Sequence, residues 1–290
     1  MNDSIFLEQA ENEDTLYRQV RDSIELIDVK RALERMWCSF KHYAPKGFKR
    51  NLQDSFHSRW WEMYLTLGIL QLGFQIETNK EDAGPDIRMM LGDSPSLWIE
   101  AVAPSKGEAT DRVPDQEPNT VVDMPRREGL LRLTQSISSK KEKFEHYIQE
   151  SIIHENDPCI IALSACSLDL GESLDWPCPA PISVLTGADN LVLTSDGHHY
   201  QHRESLLRDS GSEVDTTVFE DEKYNIVSAI LYSHHDPLSA PSPCKSLKLF
   251  LNPYANNPIP IQIYERFKET WECNNREDEI SWSKITVDSS

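Results

Sequence analysis

Residues 97–103 read Leu-Trp-Ile-Glu-Ala-Val-Ala, an apolar run interrupted by one charge. Successive side chains of a strand point to opposite faces, so Trp98, Glu100 and Val102 share one side and Ile99, Ala101 and Ala103 the other. Both faces are apolar except at Glu100, and its carboxylate is expected to be at least partly buried. A carboxylate so placed must meet a cation, a metal or a hydrogen-bond network, or else take up a proton.

Two further strand-like runs precede this one, at 74–77 and 86–91, set off by turn-rich stretches containing Gly84-Pro85 and Gly92-Asp93. Before them a helix is expected over about 55–72, stopping at Gly73, a residue suited to a helix C-terminus. A longer helix is expected over 14–43, with apolar positions at Leu16, Val20, Ile24, Ile27, Val29, Leu33 and Trp37, broken by Pro45 and Gly47. Downstream, the polar stretch 104–125 carries four of the seventeen prolines and reads as a loop. A long helix over roughly 126–151 follows, then a compact apolar strand at 159–165. Residues 166–220 read as mixed, with the proline-rich 176–181 irregular, and later strands are expected at 191–194, 226–233 and 247–251. The order predicts an α/β chain with a mixed central β-sheet flanked by helices. It divides into an N-terminal helical extension (1–48), a core (49–165) and a C-terminal part (166–290) that continues the same sheet with acidic loops.

The chain carries a net charge of −19, which on its face disfavours a phosphate-rich partner. The charge is unevenly spread. Residues 40–150 hold 15 Lys/Arg against 17 Asp/Glu, while the rest holds 14 against 31. A local basic surface is therefore compatible with the centre of the chain. The six cysteines form no Cys-x-x-Cys pair, so no structural zinc site is expected and they read as small buried hydrophobes. No apolar run approaches the roughly 20 residues of a membrane span. The acidic start MNDSIFLEQAENED lacks a signal-peptide layout, and a cytoplasmic location is expected.

Asp86 opens the strand before the one bearing Glu100. If the two strands form a hairpin, the two acids lie near each other. Glu62 sits on the 55–72 helix at the edge of the stripe marked by Trp61, Leu65, Gly68 and Leu72, from where it could reach the sheet. Any one of these acids alone would ordinarily pair with an arginine or cap a backbone group. Converging, they suit Mg²⁺ or Mn²⁺, hard ions that prefer oxygen ligands.

The helix glutamate in Phe-His-Ser-Arg-Trp-Trp-Glu (56–62), Pro85-Asp86 and Ile-Glu-Ala-Val (99–102) together resemble the PD-(D/E)XK phosphodiesterases, which include many restriction and repair nucleases. The resemblance covers about residues 50–165. It implies a restriction-endonuclease-like core, a metal site at Glu62, Asp86 and Glu100, and Mg²⁺- or Mn²⁺-dependent cleavage of nucleic acid, preferably DNA, in a restriction or defence setting. One departure stands out: the family's lysine, two residues after the last acid, would fall on Val102. On the 126–151 helix, Lys140 lies within the apolar stripe of Leu133, Ile137, Phe144, Tyr147 and Ile148. It is the expected replacement, with Lys141 and then Lys106 as further candidates.

The alternative is a nuclease-like module without turnover, or a subunit of a larger complex, with a homodimer or protein partner supplying what the chain lacks. His199, Tyr200, His202, His234 and His235 read as ordinary surface residues, and Arg126, Arg127 and Arg132 as a solvated helix face. No Walker-type loop and no Gly-x-Ser-x-Gly elbow is present, which disfavours nucleotide hydrolases and serine esterases.

Overall fold

A computed structural model describes residues 4–78, 84–90, 96–108, 110–115, 124–195, 197–220, 222–239, 242–276 and 279–285. Gly92-Asp93, Leu91 and, within the 104–125 stretch, residues 109 and 116–123 lie outside the described residues, as does the side chain of His199. Four helices come first: α1 (Thr15–Asp22), α2 (Ile27–Phe40), α3 (Phe48–Asp54) and α4 (Phe56–Gln71). The strands β1 (Gln75–Thr78), β2 (Ile87–Met90) and β3 (Leu97–Val102) lead into α5 (Arg126–Gln149) and β4 (Cys159–Ser164). Then come α6 (Ala180–Thr186), the hairpins β5 (Ala188–Thr194)–β6 (Gly197–His202) and β7 (Ser205–Leu207)–β8 (Glu213–Asp215), and β9 (Ala229–Ser233). The chain ends with α7 (Pro243–Ser246), β10 (Lys248–Leu251), α8 (Ile261–Tyr264), β11 (Glu269–Arg276) and β12 (Glu279–Ile285).

The main sheet has eight strands in the order β1-β2-β3-β4-β9-β10-β11-β12, and the two hairpins form separate two-stranded sheets. β1, β2 and β3 are a meander, β3, β4 and β9 run parallel, and β10 returns antiparallel to β9. Every residue of β4 and β9 is buried, as parallel strands covered on both faces must be.

The two faces carry separate cores. Leu97, Ile99, Ile160, Ala162, Ala229 and Leu231 pack with Trp60, Trp61, Tyr17 and Phe40 of the N-terminal helices. Trp98, Val102, Ile161, Leu163, Ile230 and Tyr232 pack with Leu133, Ile137 and Phe144 of α5. The alternation read in 97–103 is thus the division between the two layers. The Trp61 indole donates to the Ala162 carbonyl at 3.0 Å, tying α4 to a central strand.

Three expectations are corrected. The helix over 14–43 is two helices: after α1 the chain turns extended at Ser23, leaving Ile24 exposed. The break lets Tyr17 and Val20 reach the core independently of Leu33, Trp37 and Phe40. The region after Gly47 is helical again, because Gly47 at φ 74° supplies the left-handed residue that starts α3. Of the cysteines, Cys159, Cys166 and Cys178 are buried, whereas Cys38 is exposed. No helix among the described residues is long and apolar enough to cross a membrane.

Candidate active site

Ile87 pairs with Ile99 and Arg88 with Trp98. Continued by one step, this antiparallel register sets Asp86 opposite Glu100, on the face that α5 covers. The Asp86 carboxylate is anchored by the backbone N–H of Ala101, which donates to Oδ2 at 2.7 Å. Glu100 is 1 % exposed. Two groups from α5 descend on it: the Lys140 ammonium pairs with Oε2, and the Tyr147 hydroxyl donates to Oε1 at 2.9 Å. Lys143 Nζ stands 3.7 Å from Oε2 at the more exposed margin.

The electrostatics follow from that crowding. Burial, then the neighbouring Glu100 charge, push the Asp86 carboxyl up to about 7, and Glu62 adds a smaller repulsion. Lys140 and the Ala101 N–H act in the opposite direction. The Tyr147 phenol is raised too, first by burial and then by the Glu100 charge, so it stays a donor at neutral pH.

Glu62 behaves differently. It is paired with Arg59, one turn earlier on α4, at 2.7 Å. Asp86 lies within electrostatic reach of both Glu100 and, more weakly, Glu62. Among the described residues, no three His, Cys, Asp or Glu side chains form a group that could hold a metal ion. The apolar neighbours of Glu62 on α4 pack in the layer opposite α5, and from there its charge, shared with Arg59, still acts on Asp86.

Of the lysine candidates, Lys140 alone pairs with one of the acids named at the outset. Lys141 pairs with Glu145 and lies over the Tyr224 ring, and Lys106 pairs with Asp115 and Asp169. Val102 packs into the core on the Glu100 face, so the charge that a strand lysine would bring arrives from the helix instead. Tyr147 and Lys143 were not foreseen as site residues. In sequence Tyr147 marks an apolar stripe, and only its spacing of seven from Lys140, two helical turns on the same face, hinted that it shares the lysine's target.

The histidine readings also change. His234 is buried, with Nδ1 2.8 Å from Asp175, and His235 is half-buried, its pKa lowered by burial. His202 is exposed and faces Glu220 at 3.1 Å. Arg126 donates to Ser183 and Cys178, and Arg127 is held by Glu128 and Asp209. No family model, no curated protein and no solved structure matches the chain.

Proposed function

We propose that the chain is a Mg²⁺- or Mn²⁺-dependent phosphodiesterase of the PD-(D/E)XK type, built on a restriction-endonuclease-like core and acting on nucleic acid, DNA foremost, in a restriction or defence role. The observation that carries this reading is the Lys140–Glu100 ion pair beside Asp86. It assembles, from a strand, its neighbour and a helix, the two acids and one lysine that the family's motif places on two strands.

The donor set fits the metal. Mg²⁺ keeps several waters and is commonly held through one or two carboxylates, and a buried and a half-buried acid on one face of the sheet, one titrating near 7, carry negative charge that a divalent cation would offset. Held by Asp86 and Glu100, such an ion would polarise a phosphoryl oxygen and lower the pKa of a bound water. The chain's own groups do the rest. The Ala101 N–H and the Tyr147 hydroxyl hold the two carboxylates in place. The Lys140 ammonium, fixed by Glu100, offers N–H donors to an attacking water and positive charge to the developing phosphorane oxygens.

Asp86→Ala and Glu100→Ala are each expected to lower Mg²⁺-dependent cleavage of plasmid DNA by about 10²-fold or more. Wild-type rates in both variants would refute the reading.

A second reading, a nuclease-like binding module without turnover, is favoured by the pairing of Glu62 with Arg59 and by the missing three-acid group among the described residues. Calorimetric titration with Mg²⁺ separates the two. Because Asp86 titrates near 7, an ion bound there displaces its proton, and affinity should rise by about tenfold per pH unit below pH 7 and level off above it. A binding module gives no heat that depends on Asp86.

A further inference from the structure

A cavity of about 360 Å³ opens where the outlet of β3 meets the second and third turns of α5, and Arg112, Arg132 and Arg208 all line it. Three guanidinium groups at one opening are notable in a chain of net charge −19. Their commitments differ. Arg112 is paired with Asp115 at 2.7 Å. Among the described residues Arg132 makes only neutral contacts, to the Ser105 carbonyl at 2.9 Å, to Gln135 at 3.1 Å and to the Ser105 hydroxyl at 3.4 Å. That leaves about two of a guanidinium's five N–H donors unspent. The Arg208 side chain has no hydrogen-bond or ion-pair partner among the described residues.

Arg132 is also pre-positioned. Its guanidinium lies against Gly107, where the left-handed φ of 90° and the missing side chain make room; a Cβ there would come within 3.4 Å of Nη1. Of the two carboxylates at the opening, Asp111 is engaged by the Asp209 N–H at 2.9 Å and lies 3.6 Å from Arg127, and Glu108 stands exposed at the rim. Arg132 and Arg208 therefore present charge that no carboxylate of the described residues neutralises, in the fork geometry that matches a phosphate.

We propose that this cleft binds a phosphate of a nucleic-acid backbone and guides the strand toward Asp86 and Glu100; the choice of polymer rests on the phosphodiesterase reading, the location on the arginines. Arg132 precedes Lys140 by eight residues on one helix, roughly 12 Å along its axis. A duplex strand carries one phosphate per about 3.4 Å of axis, so a strand held in the cleft passes Lys140 a few nucleotides further on. A free phosphate or mononucleotide has the same chemistry, and competition distinguishes them from the polymer.

The test is fluorescence anisotropy of a labelled DNA duplex with the full chain in EDTA, over a range of salt, beside cleavage assays in Mg²⁺. Arg208→Ala and Arg132→Ala should each weaken binding by about fivefold or more and lower the salt slope by about one, while Arg132→Lys keeps the slope. Arg208 has no partner to lose, so its variant should melt like the wild type. Unchanged affinity and slope in both alanine variants, with cleavage still dependent on Asp86, would overturn the cleft alone. Absence of duplex binding by the wild type, or displacement of the duplex by micromolar inorganic phosphate or mononucleotide, would overturn it as a polymer site. Wild-type cleavage by Asp86→Ala would sink the phosphodiesterase reading while leaving the anisotropy result intact.

Discussion

At Asp86 the demands of folding and of chemistry oppose each other. Its carboxyl titrates near 7 in the folded chain against an ordinary value near 3.8. Between about pH 4 and pH 7 the unfolded chain therefore gives up a proton that the folded chain keeps, and stability falls as pH rises through that window. Asp86→Asn removes the charge and keeps an acceptor for the Ala101 N–H. Urea unfolding at pH 8 should show this variant more stable than the wild type by on the order of 1–3 kcal/mol, with the gain vanishing near pH 4. An equal difference at both pH values would count against the assignment. Glu100, more deeply buried, is compensated by Lys140 and Tyr147. Its burial was legible from its apolar neighbours in 97–103. The identity of its hydroxyl partner was not, because beyond a shared helix face with Lys140 a tyrosine in an apolar stripe reads as packing.

Among the elements, α4, β3, α5 and β4 matched their sequence readings within a few residues, since each has a long periodic or unbroken apolar pattern. The region from α6 to β8 resisted reading because its structure depends on a turn and two small hairpins. Gly187 ends α6 in the left-handed conformation at φ 63°, and its carbonyl accepts from the Arg203 N–H at 2.8 Å, closing the β5–β6 hairpin back onto the helix. A Cβ on Gly187 would come within 2.0 Å of the Arg203 carbonyl oxygen, backbone that cannot swing aside. Gly187→Ala should therefore destabilise the protein by about 3 kcal/mol or more, combining left-handed strain with the clash. An unchanged melting temperature would show that the hairpin is not held there.

For the molecule as a whole, the two cores meet at one sheet, and β4 and β9 lie between them with every residue buried. Opening either strand exposes both layers at once, so their amide protons should exchange only through global unfolding. The β5–β6 hairpin lies outside the main sheet and leaves Leu193 78 % exposed, so its amides should exchange faster by orders of magnitude. Native-state hydrogen exchange checks this; equal protection in β4 and in the hairpin would contradict the layered account.

Amino-acid order alone determined the alternation that splits β3 between two layers, the burial of Glu100, the closeness of Asp86 through a hairpin, and the position of Lys140 on the buried stripe of α5. These follow from periods of two and 3.6 residues and from the penalty on unpaired buried charge, which are local or nearly local. The tertiary structure alone decided that Tyr147 serves Glu100, that His234 is buried on Asp175, and that Arg112, Arg132 and Arg208 share one opening. Each of these depends on how elements distant in sequence, or facing opposite sides of the sheet, are set against one another, and no short-range pattern encodes that distance.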